Sequence, residues 1–224
     1  MNNLTIRKEN KNDNADIIKV IKQAFENTPH SDNKEHILTE KIKKTKNFIP
    51  ELSIVAEYEK EIVGYILFSK IKIDNTIQLA LAPLCVKKEF QNKGIGKTLI
   101  KEGEKIARKF GFEFIIVLGS PEYYGRFNYI ESYNFGINNP FDVEQKYFMA
   151  KRLNGSRIYK EGKVIYPKYF FDVWFFWKNK RFIPKKLKKE QHKTAAFLIS
   201  TAKLLPQSNF TFIFQDSLTL FNRI

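Results

Sequence analysis

Apolar and polar residues trade places along this chain with two periods. Residues 4–7, Leu-Thr-Ile-Arg, alternate as an edge strand does. Asp13 then stands as an N-cap before Ala15, Ile17, Ile18, Ile21, Ala24 and Phe25, whose spacing predicts a helix. A second helix is expected to open near Ser31 and Asp32, with Ile37, Leu38, Ile42 and Thr45 on one face and Lys41, Lys43, Lys44 and Lys46 outward. Pro50 is expected to close that region.

The period then shortens. Residues 52–57 and 62–68 are apolar runs on either side of the polar Glu59-Lys60-Glu61, which predicts a hairpin. Another strand is expected over 77–86, interrupted at Pro83. After the loop 91–96, Leu99, Ile100, Ile106, Ala107 and Phe110 mark the core face of a helix that Gly111 ends. Residues 114–118 read as a buried strand and 121–127 as a short helix, with irregular strands reaching about Tyr166. Beyond it the style changes: residues 169–177 are aromatic, 178–189 basic, 187–205 helical in pattern and 210–214 strand-like.

Composition narrows the class. Of 224 residues 43% are hydrophobic, enough for a real core and against wholesale disorder. The one cysteine, Cys85, excludes a disulfide framework and a Cys-based zinc site, and three scattered histidines argue against a His-rich metal centre. No apolar run approaches the roughly 18–20 residues of a membrane helix, and the first residues do not resemble a signal peptide, so a reduced, cytoplasmic protein is expected. The formal net charge of +15 fits an anionic partner (nucleic acid, a phosphate-bearing cofactor, a membrane surface) or a composition rich in Lys, Ile and Asn throughout.

The segment richest in chemistry is a strand, a glycine-containing loop and a helix: Leu84-Cys85-Val86, then Gln91-Asn92-Lys93-Gly94-Ile95-Gly96-Lys97-Thr98. Such a turn gathers backbone N–H groups at the positive end of a helix, a setting that holds phosphate. Gly94 and Gly96 keep Cβ atoms out of the way. A Walker A loop would need its first glycine at 91, which is Gln91, and a dinucleotide fingerprint would need a small residue at 99, which is Leu99. The pattern Q/R-x-x-G-x-G/A after a strand fits without exception.

That pattern resembles motif A of the GNAT N-acetyltransferase superfamily. The order of elements before and after it matches over residues 1 to about 150. Val117-Leu118-Gly119-Ser120-Pro121-Glu122-Tyr123-Tyr124-Gly125-Arg126-Phe127, the runs 135–143 and 148–150, and Gly162 to Pro167 are similar to the YhbS-type branch of predicted acetyltransferases. The resemblance covers residues 1 to 170. It implies a GNAT fold of the α+β kind: a mixed, mostly antiparallel central sheet flanked by helices, with residues 171–224 as a basic, aromatic C-terminal α/β extension.

The resemblance further implies acetyl-CoA as co-substrate, no metal, and acetyl transfer to a primary amine of a small-molecule or protein acceptor. The strand before the loop would be bulged and splay from its neighbour. The expected catalytic groups are Leu84, whose N–H would polarise the thioester carbonyl, and Tyr124, which would protonate the departing thiolate. Cofactor contacts are expected at Leu84, Cys85, Val86, Gln91, Asn92, Lys93, Gly94, Ile95, Gly96, Lys97, Thr98, Ser120, Tyr124 and Phe127, while Tyr123 reads as structural and Cys85 as a buried thiol rather than an acetyl carrier.

Three departures stand out. Ala80 occupies the position of a general-base carboxylate in some relatives, Ser120 replaces an expected Asp, and Phe127-Asn128-Tyr129 replaces a small residue followed by Gly-Phe. Glu35 and His36 either line the acceptor cleft or sit on a solvated helix face. A CoA-binding or nucleic-acid-binding module without turnover is the alternative. The tail, with Trp174 and Trp177 beside Lys178, Lys180 and Arg181, is expected to pack on the domain rather than to touch membrane or nucleic acid, in a monomer or homodimer.

Overall fold

The structure is a computed structural model that describes residues 3–26 and 33–171. The opening of the second helix at 31–32, the helix over 187–205, the strand over 210–214 and all of the extension beyond Phe171 lie outside the described residues.

Strands β1 (Leu4–Lys8), β2 (Phe48–Tyr58), β3 (Glu61–Ile73) and β4 (Thr76–Val86) form an antiparallel meander. The β2–β3 hairpin turns on Glu59 and Lys60, both at positive φ, the backbone a tight two-residue hairpin demands. The chain then crosses over through helix α3 (Ile95–Lys109) to β5 (Phe114–Leu118), parallel to β4. Three short strands follow β5: β6 (Ile130–Glu131), β7 (Ile137–Asn138) and β8 (Phe148–Arg152). With β9 (Gly162–Ile165) they complete a sheet in the order β1-β2-β3-β4-β5-β8-β6, with β9 bridging β3 and β7. The expected mixed, mostly antiparallel sheet flanked by helices is therefore present.

The period-two pattern assigns the faces. Val55, Tyr65 and Leu67 meet Ile17, Val20 and Ile21 of α1 (Asn14–Phe25) and Ile42 of α2 (Glu35–Lys43) on one side. Ile54, Ala56, Ile66 and Phe68 meet Ile95, Leu99, Ile100 and Ala107 of α3 on the other. Because β3 is covered on both faces, it reads as a continuous apolar run rather than an alternation.

Three local expectations are corrected. Asp13 makes no side-chain cap to α1; Asn10 caps a preceding 3-10 turn, and Asp13 reaches back to the Asn10 N–H (2.7 Å) and to Arg7 (2.6 Å). Pro50 lies inside β2, where the register shifts between Phe48 and Ser53 and the pairing with β1 has ended, so its missing N–H costs no ladder bond. Phe110 is 53% exposed, because it is the cap residue of α3 and has left the helix's core stripe. Gly111, at φ +78, ends the helix as expected.

Candidate active site

The site begins with a change of partner along β4. Ile66 pairs with Leu84 but Phe68 with Leu81, so β4 carries one extra residue in the stretch holding the cis Ala82–Pro83 peptide. On its other side β4 pairs with β5 only at Leu79–Ile115 and Ala80–Ile116. Past Ala80 the two strands part, and the β5-facing edge of β4 is unpaired. Lys87 donates its N–H to Val63 (2.8 Å). By the alternation of an antiparallel ladder, Cys85 then also faces β3 with its backbone, while the N–H groups of Leu84 and Val86 face the opening. This is the splay expected of the strand.

The loop delivers the second feature. Gln91, Asn92, Lys93, Gly94, Lys97 and Thr98 are exposed, Gly96 is half-buried, and Ile95 turns its side chain under the helix. The first intrahelical bond runs from the Thr98 N–H to the Gly94 carbonyl (3.0 Å). The N–H groups of Asn92, Lys93, Gly94, Ile95, Gly96 and Lys97 donate to nothing among the described residues. Gly94 is the helix N-cap at φ +84, a conformation that strains any residue with a Cβ.

Some expected contacts are redirected. The Gln91 N–H is spent on the Lys88 carbonyl (3.2 Å) and its side chain donates to the Val86 carbonyl (3.0 Å), so Gln91 braces the loop against β4. The Thr98 hydroxyl donates to the Gly94 carbonyl (3.1 Å). The Ser120 hydroxyl caps α4 (Pro121–Tyr124), accepting from the Tyr123 N–H (3.3 Å) and donating to the Glu122 carboxylate. The Cys85 side chain is buried on the α1–α2 side, where burial pushes its thiol well above the ordinary range with the Glu35 carboxylate adding to the effect. Cys85 is thus a core thiol and not an edge contact.

α4, which begins three residues after β5 ends, carries two phenols. Tyr124 packs its ring edge against Gly119, where a Cβ would come within 2.3 Å of it, and edge-on to Tyr129 at 5.6 Å between centroids. Burial raises the Tyr124 phenol above its ordinary value, and that of Tyr123 likewise. The Tyr123 ring lies between Tyr124 (5.1 Å) and Phe127 (5.4 Å). Its hydroxyl reaches the first turn of α3, a placement that nothing in the linear sequence signals. Asn128 adopts φ +63, where glycine is the ordinary choice and asparagine the best-tolerated substitute, which explains that departure. Ala80 is 2% exposed and paired on both sides, so the general-base position is enclosed. Glu35 and His36 are half-buried rather than on a solvated face, because α2 packs against β4.

A strand edge open to backbone pairing, leading to a cluster of unspent amides at a helix N-terminus, suits an extended amide-bearing chain ending in a diphosphate. Residues 17–129 match the model of the acetyltransferase (GNAT) family. The chain belongs to this family. Among GNAT proteins, the uncharacterized N-acetyltransferase YjhQ of Escherichia coli K12 is 33% identical over 130 residues, 56% of this chain and 69% of YjhQ. A GNAT family acetyltransferase from Brucella melitensis, solved in complex with acetyl-CoA, superposes with a TM-score of 0.62 at 29% identity, covering 75% of this chain and 97% of that one. The GNAT N-acetyltransferase YhbS from Escherichia coli, solved with CoA, has the same fold (TM-score 0.66, 23% identity, 75% and 92% covered). Among the described residues no group of three or more His, Cys, Asp and Glu is placed to hold a metal, and no helix is long and apolar enough to cross a membrane.

Proposed function

We propose that residues 1–170 form an acetyl-CoA-dependent N-acetyltransferase domain that acts in the cytoplasm on a primary amine of a small molecule or protein. The observation that carries the reading is the unpaired edge of β4 beyond Ala80, continuous with the open amides of Asn92 to Lys97. Acetyl-CoA supplies a thioester: the C–N bond to the acceptor forms as the C–S bond breaks. The chain's own groups do the rest.

The N–H groups of Leu84 and Val86 face the opening and hold the extended arm, with Leu84 donating to the carbonyl oxygen as charge develops on it. The loop amides hold the diphosphate, with Lys93 and Lys97 adding positive charge beside them. Tyr124 keeps its proton at neutral pH and delivers it to the departing sulfur. No carboxylate stands at Ala80, so the acceptor enters as the free amine, and the proton it gives up on attack passes through solvent to restore Tyr124.

The test is acetyl-CoA turnover against a panel of small amines and amine-bearing peptides, read as release of free thiol, with acetyl-CoA binding measured calorimetrically. Thiol release that depends on an amine supports the reading. Binding with no thiol release across the panel would point to a binding module instead, and no binding at all would overturn the cofactor assignment.

A further inference from the structure

Tyr123 does not have the surroundings of a purely packing ring. Its hydroxyl lies over the start of α3: a Cβ on Gly96 would come within 2.4 Å of it, and within 3.9 Å of Val86. Tyr124 and Phe127 pack against the ring, and Arg126 fixes it from outside. The Arg126 guanidinium sits 4.8 Å from the ring centroid and its Nε donates to the Tyr123 carbonyl (3.3 Å). Among the described residues the Tyr123 hydroxyl has no hydrogen-bond partner. Gly96, which it adjoins, belongs to the loop whose amides have no acceptor among the described residues. The half-buried hydroxyl is free to donate to an incoming acceptor beside the loop, and phosphate oxygens accept and do not donate.

We infer that Tyr123 is a cofactor-binding residue whose hydroxyl donates to the diphosphate of acetyl-CoA, dividing the cofactor between two adjacent phenols. Tyr123 takes the phosphate end and Tyr124 the sulfur end. The inference rests on the proposed function. Burial raises the Tyr123 phenol while Arg126 opposes the rise, so the proton stays in place at neutral pH on a polarised donor. Gly96 has an ordinary helical backbone, so its missing side chain serves to leave room for this hydroxyl.

The experiment is Tyr123→Phe, which keeps the ring and removes one oxygen. Affinity for acetyl-CoA is measured by calorimetry, and that for acetyl-pantetheine, which lacks the diphosphate, by competition. Acetyl-CoA binding is expected to weaken about tenfold, with acetyl-pantetheine competing as it does against the wild type. Unchanged or tighter acetyl-CoA binding, or an equal loss for both ligands, overturns the inference and leaves the cofactor reading standing. A wild-type protein that binds no acetyl-CoA overturns the cofactor reading itself.

Discussion

Replacing Gly96 by Ala places one methyl group 2.4 Å from the Tyr123 hydroxyl, a separation real atoms do not adopt. The next carbon of that ring, Cζ, is 3.7 Å away and Val86 is 3.9 Å away, both ordinary contacts. The conflict is therefore with a single oxygen. Relieving it means shifting a ring held by Tyr124, Phe127 and Arg126, which by analogy with overpacked cores costs about 1–3 kcal/mol. Against this, alanine in a helix is preferred to glycine by up to about 1 kcal/mol. Gly96→Ala in the wild type should then be neutral to about 3 kcal/mol destabilising. In a Tyr123→Phe background the oxygen is gone, the nearest ring carbon stays at van der Waals distance, and the same change should stabilise by a few tenths of a kcal/mol to about 1. The coupling in the double-mutant cycle is thus about 1–3 kcal/mol. Urea denaturation of the four proteins measures it through the midpoints at constant m. Equal effects of Gly96→Ala in both backgrounds would refute the placement of the Tyr123 hydroxyl over α3.

Three further outcomes follow from the site. Tyr124→Phe should lower turnover by about a hundredfold or more while leaving acetyl-CoA affinity near the wild-type value; full activity would reduce Tyr124 to a packing residue. Gly94→Asp combines a Cβ at φ +84 with a negative charge beside the loop amides, so it should abolish acetyl-CoA binding in calorimetry, and a retained affinity would exclude the loop as the diphosphate site. Stability should hold to about pH 9 and decline above it. The folded state keeps Cys85, Tyr65, Tyr124 and Tyr166 protonated by burial, whereas in the unfolded chain the thiol and the phenols ionise around their ordinary values of 9.0 and 10.0. A urea midpoint that rises between pH 9 and 11 would contradict that sign.

Much of this protein is written in local pattern. The two periods of apolar residues mark the meander, the crossover helix and β5, since each buries one face or two against neighbours. The glycine loop after β4 is legible because a helix N-terminus exposes its amides whatever surrounds it, and Gly111 ends α3 by its own conformational freedom. The resemblance carried by Gln91 to Gly96 and by 117–127 supplied the family.

What the linear order could not contain are facts about which atoms arrive from elsewhere. Asp13 looks like a cap until Arg7 and the Asn10 N–H claim its carboxylate. Pro50 looks like a terminator until β1 is seen to end before reaching it. Gln91 belongs to the motif, yet its polar groups turn to Lys88 and Val86, and only the ladder parity of β3 and β4 separates Cys85 from Leu84 and Val86. Tyr123 and Tyr124 are neighbours of one residue type. Their opposite assignments come from the turn of α4, which sends one hydroxyl to Gly96 and lays the other ring on Gly119. Periodicity fixes which face a residue occupies, because it depends only on the backbone's own geometry; the partner on that face is set by chain closure from more distant segments, and so belongs to the tertiary structure.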